Sequence, residues 1–81
     1  MQIPVHFWSY FAELAGVSRA ELVVGDTATV GDALAEVAVR FPKWAAVRQC
    51  SLVAVGVEYA EPRQALRPGD ELSLFPPVQG G

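Results

Sequence analysis

Cysteine and histidine are almost absent from this sequence, and their scarcity excludes two kinds of site. The 81 residues include one cysteine, Cys50, and one histidine, His6. A single cysteine excludes an internal disulfide, and one residue of each type cannot supply the clustered ligands of a zinc site. Cys50 has no convincing base near it in sequence, so we interpret it as a structural or incidental thiol. His6 falls in an alternating strand pattern, where a surface or half-buried role is expected.

Clustered positive charge is also missing. Six lysine and arginine residues are dispersed along the chain against nine acidic ones, which gives a net charge of −3. Because phosphate neutralisation needs cations in a patch or stripe, we expect no nucleic-acid partner. No stretch approaches the roughly 20 apolar residues of a membrane span, and no apolar targeting segment opens the chain. The sequence therefore predicts a soluble, cytoplasmic protein with no membrane partner.

Motifs for catalysis and nucleotide binding are lacking too. The chain has neither a G-x-G-x-x-G run nor a G-x-x-x-x-G-K-[ST] loop, so no phosphate cradle is visible. Its serines lack the context of a nucleophile elbow, and the carboxylates near the predicted turns are interpreted as solvated. A chain of 81 residues forms one domain without room for a deep pocket of its own. We therefore expect no self-contained enzyme and no stably bound cofactor.

The residues that are present predict a small α+β domain built around one main helix. Strands are predicted over residues 2–8, 19–24, 52–59 and 71–75, and short helical turns over residues 10–16 and 43–49. Pro4 cannot donate to a strand ladder, so it is expected at an edge, a bulge or the start of its strand. We predict a grasp arrangement, in which the first and last strands are central parallel neighbours and the helix packs across one face.

The main helix is predicted to begin at a capping box and to end at a proline. Thr29 and Asp32 have the spacing in which each side chain accepts a hydrogen bond from the other residue's amide. Apolar residues then recur every three or four positions, at Val30, Leu34, Val37, Ala38 and Phe41. Pro42 follows this pattern and ends it.

The last two residues, Gly80 and Gly81, follow a pair of prolines and predict an extended tail. Glycine has no Cβ, so its backbone can enter a narrow channel, while Pro76 and Pro77 stiffen the chain before it. We divide the chain into a domain over residues 1–75 and a reactive tail over residues 76–81. A cloning scar or a frayed end is the alternative interpretation of the glycine pair.

A terminal carboxylate has a chemical use once another protein activates it. The ionised carboxylate of Gly81 is inert toward nucleophiles, but a mixed anhydride formed with a phosphate from ATP has a good leaving group. A sulfur donor would displace that phosphate and leave a thiocarboxylate on Gly81. The chain would then be a substrate first and a sulfur donor afterwards, with catalysis supplied by other proteins.

Five segments resemble the small subunit of molybdopterin synthase, the MoaD family of the ThiS/MoaD ubiquitin-like superfamily. The ending, residues 75–81 (Phe-Pro-Pro-Val-Gln-Gly-Gly), preceded by residues 68–72 (Pro-Gly-Asp-Glu-Leu), is the most specific. Residues 5–8 (Val-His-Phe-Trp), with residues 13–16 (Glu-Leu-Ala-Gly) after them, are similar to the family's first strand and turn. Thr29 to Leu34 stands where the family's helix begins.

The resemblance implies a ubiquitin-like β-grasp fold and a set of partners. They are an adenylyltransferase of the ubiquitin-activating type that uses ATP, a sulfur donor, and the large subunit of the synthase in a heterotetramer. Within the large subunit, sulfur would pass to a pterin precursor to build the dithiolene that binds molybdenum. By resemblance, Gly81 carries the thiocarboxylate, Gly80 allows threading, and Phe75 and Pro76 contact the partner. Phe7 joins the docking surface or, equally, the core.

Two positions depart from the family pattern, and two other functions stay open. Ala12 stands where the family often has arginine, and Gly56 where it often has asparagine. A ThiS-like carrier, serving thiazole or another thiolated product, is the alternative within the same chemistry. A ubiquitin-like interaction module with an unreactive tail is the alternative from another class. Deletion of Gly81 separates the two classes, because only a carrier would lose its function.

Overall fold

The computed structural model describes residues 1–77 of the chain, so the predicted tail residues 78–81 lie outside the described residues. Five strands and three α-helices follow one another along this part of the chain. They are β1 (Gln2–Phe7), α1 (Tyr10–Ala15), β2 (Arg19–Val23), α2 (Val30–Arg40), α3 (Pro42–Ala45), a 3₁₀ turn (Arg48–Cys50), β3 (Leu52–Val55), β4 (Glu58–Tyr59) and β5 (Leu72–Phe75). The α+β class is confirmed.

The five strands form one mixed sheet in the order β2-β1-β5-β3-β4. The first and last strands are parallel neighbours at the centre, with Val5 opposite Leu72 and Phe7 opposite Leu74. All other neighbours are antiparallel. The predicted grasp arrangement is therefore confirmed, and the strand that leads into the tail is held on both sides.

One face of the sheet packs against α2 and forms the core. Period-2 alternation turns Ile3, Val5 and Phe7 of β1 toward that side, and each is at most 1% exposed. Residues that are fully or nearly fully buried come from every layer: Phe11, Leu22, Val30, Ala33, Leu34, Val37, Trp44, Leu66, Leu72 and Leu74. A core of this size is what a domain of about 80 residues can bury.

Helix α2 begins at the predicted capping box. The Thr29 amide donates to Asp32 Oδ2 at 2.9 Å, and the Asp32 amide donates to Thr29 Oγ1 at 3.2 Å. The helix ends at Arg40, and the Phe41 amide still donates to the Val37 carbonyl at 2.8 Å. Pro42 both ends α2 and begins α3, because a proline at the first helical position has no intrahelical N–H to lose.

The predicted single strand over residues 52–59 is wrong, because a tight turn divides it. Val55 pairs with Glu58, and the two residues between them form the turn of a β3–β4 hairpin. Gly56 has φ 61°, whereas Val57 does not have a positive φ. A glycine with positive φ at the first of two central positions is typical of a type II′ turn. The valine-rich composition of this segment conceals the turn.

Pro4 lies inside β1, whereas the sequence predicted an edge, a bulge or the start of the strand. Strand β1 lies second in the sheet, so Pro4 is not at an edge. Pairing with β5 begins only at Val5, opposite Leu72. The Trp8 amide donates to Leu74 O of β5 at 2.9 Å. The backbone amides of the even-numbered residues of β1 therefore point toward β5. The missing N–H of Pro4 therefore lies just before that ladder starts.

Candidate functional site

The second face of the sheet carries the side chains that alternate with the core. In β1 these are Pro4 and His6, and the neighbouring central strand β5 contributes Ser73 and Phe75, because His6 and Ser73 are in register. Strand β3 adds Leu52 opposite Phe75. We call this side of the sheet the open face, since helix α2 packs on the other side.

Phe7 lies on the core side, which settles the two interpretations left open for it. Its side chain is 1% exposed, and its ring meets the Phe41 ring edge-on with centroids 5.0 Å apart. A docking role for Phe7 is therefore wrong, because a side chain inside the core cannot contact a partner while the domain is folded.

Trp8, which immediately follows Phe7, is a residue of the open face that sequence reasoning missed. It is 46% exposed, and its ring lies 3.9 Å from the His6 ring between centroids, with 30° between the planes. In the alternating pattern of residues 2–8, Ile3, Val5 and Phe7 fall on one side of the strand and Trp8 on the other. The signal was present, because a large aromatic residue stood on the less apolar side of the strand.

Three aromatic side chains dominate one half of the open face: Trp8, Tyr59 and Phe75, which we call the aromatic patch. The rings of Tyr59 and Phe75 have centroids 6.1 Å apart. Between the three rings lies a cavity of about 260 Å³, whose other lining residues are Ala54, Gly56, Val57 and Ser73. None of these residues is charged. Exposed aromatic rings around an uncharged hollow are typical of a protein-docking surface.

Charged residues occupy the opposite half of the open face. Arg19 of β2 is in register with His6, and its Nη1 lies 3.7 Å from Glu71 Oε1, so the pair reaches across β1. His6 stands between the charged half and Trp8, and its buried Nδ1 has no hydrogen-bond partner among residues 1–77. The open face is thus divided into an apolar and a polar half.

The tail begins at the aromatic patch. Phe75 is the last residue of β5, and both Phe75 and Pro76 are half-buried, whereas Pro77 is exposed. Because β5 is flanked by β1 and β3, the position from which the tail leaves is fixed by two ladders. The predicted carrier residues, Gly80 and Gly81, lie outside the described residues. Partner contact by Phe75 and Pro76 stays a prediction.

Other chemistry is sparse in the part of the chain that the structure describes. Cys50 is exposed in the 3₁₀ turn. Residues 1–77 contain no group of three or more cysteine, histidine and acidic residues that is arranged to hold a metal. No helix within the same residues is long and apolar enough to cross a bilayer.

The fold and the open face define a ubiquitin-like β-grasp protein. The structure matches Caldiarchaeum subterraneum ubiquitin with a TM-score of 0.64 at 20% identity, over 100% of this chain and 98% of that one. The match to SAMP1 from Haloferax volcanii has a TM-score of 0.90 at 32% identity and covers all of both chains.

The chain belongs to the ThiS family, whose match covers residues 5–81. It is similar to proteins named molybdopterin synthase sulfur carrier subunit: 35% identical to one from Chlamydomonas reinhardtii, over all of both chains, and 31% identical to one from Arabidopsis thaliana, over 100% of this chain and 84% of that one. The resemblance seen in the sequence is therefore confirmed.

A further structural match is to the complex of subunits 1 and 2 of the molybdopterin-converting factor from Helicobacter pylori. The TM-score is 0.73 at 18% identity, over all of both chains. At this identity the match shows a shared fold.

Proposed function

We propose that this protein is the sulfur-carrier small subunit of a molybdopterin synthase. The observation that carries the proposal is the position of the aromatic patch at the start of the tail. An exposed apolar surface beside a Gly-Gly ending suits a protein that must dock on a partner while its terminus enters the partner's active site. The relatives named molybdopterin synthase sulfur carrier subunit support the same function.

The proposed chemistry takes place at the carboxyl group of Gly81. A carboxylate oxygen attacks the α-phosphorus of ATP, pyrophosphate leaves, and an acyl adenylate forms. A sulfide-level donor then attacks the carbonyl carbon, AMP leaves, and the product is a thiocarboxylate with its charge on sulfur. An adenylyltransferase of the ubiquitin-activating type supplies the catalysis and uses the ATP. We place these ATP-dependent steps in the cytoplasm, and the carrier itself needs no bound cofactor.

The contribution of this chain is to present the tail. Strand β5 is fixed by its two neighbours, so residues 76–81 begin from a defined position beside Trp8 and Phe75. We propose that the aromatic patch docks on the large subunit, with Phe75 and Pro76 at the entrance of its active site. Gly80 passes through the narrowest part because it has no side chain. The relatives named molybdopterin synthase sulfur carrier subunit support a partner of this kind.

Assembly and transfer complete the proposed role. Two copies of this chain and two large subunits would form a heterotetramer. The thiocarboxylate of Gly81 then delivers its sulfur to a pterin precursor bound by the large subunit, toward the dithiolene that holds molybdenum.

The test is to load the tail and find the sulfur. The full chain is incubated with ATP, a sulfide source and an adenylyltransferase shown to be active on a known carrier. Because exchange of oxygen for sulfur nearly matches oxidation in mass, thiol-selective alkylation is mapped on the C-terminal peptide. Alkylation at Gly81 that depends on ATP is expected, and Cys50→Ser removes the competing thiol.

Deletion of Gly81 is the control that separates a carrier from an interaction module. The deleted chain should fold normally and give no sulfur transfer to the pterin precursor. If transfer survives the deletion, the carrier function is wrong. If Gly81 is loaded but no sulfur passes to the pterin precursor on a large subunit, the ThiS-like alternative with another thiolated product is favoured.

A second candidate function is covalent modification of other proteins. It is favoured by the full-length match to Haloferax volcanii SAMP1, a protein of a kind named small archaeal modifier protein. The same acyl adenylate would react with a lysine amine, which releases AMP and forms an amide. Adding a lysine-containing acceptor to the loading assay tests it: a mass increase of the acceptor by one copy of this chain, at Gly81, supports modification.

A further inference from the structure

A second cavity, of about 410 Å³, lies at the end of the sheet from which the tail leaves. It exists because β4 is only two residues long and pairs with Ala54 and Val55, so β4 does not cover the first half of β3. Its walls are formed by Val30 and Leu34 of α2, by Val53 of β3, and by Arg48, Gln49 and Ser51 from the turn before that strand. We call this cavity the Arg48 groove.

Arg48 is the one charged residue among those that line the groove. Its side chain is half-buried, and no acidic side chain among residues 1–77 forms a salt bridge with it. By contrast, Arg19 lies 3.7 Å from Glu71 and Arg63 lies 3.5 Å from Glu61. A cation held beside apolar walls attracts a carboxylate more strongly than a fully solvated one does, because less water competes for it.

The groove is continuous with the aromatic patch. Tyr59 lines both the groove and the cavity of the patch. Leu52, which also lines the groove, pairs with Phe75 at the last position before the tail. A protein that covers the patch and receives the tail therefore reaches the groove without a gap.

We propose that the Arg48 groove binds an acidic side chain of the large subunit, with a neighbouring apolar side chain of that subunit against Val53 and Leu34. The inference rests on the proposed function and deepens it, since it identifies the chemistry that the partner must present. The patch supplies apolar contact, and Arg48 supplies a directional charged contact that fixes the orientation of docking.

Calorimetric titration of the full chain with the large subunit, at low and high salt, tests the proposal. Arg48→Ala is expected to weaken binding about fivefold and Arg48→Glu about thirtyfold, because charge reversal adds repulsion to the lost contact. Both losses should shrink as salt screens the charges. Arg67→Glu is the matched control, because Arg67 is exposed and lines a different cavity. The affinity of this variant for the large subunit should stay within about twofold of the wild-type value.

Each other outcome overturns the proposal. Unchanged affinity of both Arg48 variants, with melting temperatures equal to that of the wild type, means that the partner does not contact the groove. Tighter binding of Arg48→Glu means that the groove holds the chain's own terminal carboxylate, which must leave before docking. Weaker binding to the adenylyltransferase alone assigns the groove to that enzyme. If the wild-type chain binds no large subunit, the proposed function fails together with this inference.

Discussion

The carbonyl of Leu74 accepts a hydrogen bond of 2.9 Å from the amide of Trp8, which ties the strand leading into the tail to the residue with the exposed indole. Residues Phe7 and Trp8 are adjacent in sequence, yet their side chains lie on opposite faces of the sheet, one 1% and the other 46% exposed. This pair therefore places one aromatic side chain in the core and the next one on the open face.

Substitution of the two aromatic residues by alanine should have opposite consequences. Trp8→Ala removes one of the three rings of the aromatic patch, and we expect affinity for the large subunit to fall by about tenfold or more. Phe7→Ala leaves a cavity in the core and should lower the free energy of unfolding by about 3–5 kcal/mol. Titration calorimetry and urea denaturation measure the two effects. Normal binding by Trp8→Ala would remove the aromatic patch from the interface.

Phe75 gives a second test of the docking surface at the residue before the tail. Phe75→Glu places a charge between Tyr59 and the first residue of the tail, so docking should weaken strongly. Because Phe75 is only half-buried, the free energy of unfolding should fall by no more than about 1 kcal/mol. Thermal melts and titration with the large subunit are compared. A loss of stability as large as that of Phe7→Ala would assign Phe75 to the core instead.

The main helix and the centre of the sheet could be predicted because their signals are local or follow from connectivity. The spacing of Thr29 and Asp32 identified the helix start, and a regular apolar repeat identified its buried side. The hairpin was missed for the opposite reason. Val57, which is 99% exposed, is a strand-favouring residue, and the conformation of Gly56 decides the turn.

The site could be predicted only in part, because alternation sorts side chains into two faces without saying which face a helix covers. That choice placed Phe7 inside and Trp8 outside. The hairpin places Tyr59 beside Phe75. The short β4 leaves the groove that Arg48 lines uncovered. Both are features of the tertiary structure. No pattern near Arg48 in sequence predicts a groove, since its walls include Leu34 of α2 and Tyr59 of β4, which only the tertiary structure brings close to it.

Gly56 allows a test of whether the turn of the β3–β4 hairpin requires glycine. A Cβ at this position would meet no heavy atom within 4 Å, so any cost of a side chain comes from the backbone, where φ is 61°. Gly56→Ala should lower the free energy of unfolding by about 1 kcal/mol. Gly56→Asn should cost less, because asparagine tolerates positive φ better.

The control for this pair is Gly25→Ala, since Gly25 also has open space around its Cβ position but no positive φ. Urea denaturation of the three variants is sufficient. Equal losses for Gly56→Ala and Gly25→Ala would mean that the turn conformation does not determine the preference for glycine at position 56.

Ser9 connects Trp8 to α1 and has a backbone conformation that L-residues rarely adopt, with φ 56° and ψ −140°. Its side chain makes no capping hydrogen bond, so its hydroxyl does not offset the strain at the helix start. Such strain costs about 1–3 kcal/mol, while glycine loses about 0.5–1 kcal/mol more backbone entropy on folding. Ser9→Gly should therefore raise the free energy of unfolding by about 1 kcal/mol, measured by urea denaturation. Ser18→Gly, at an exposed position without positive φ, should lower it slightly. If Ser9→Gly destabilises the protein as Ser18→Gly does, the Ser9 conformation is not strained.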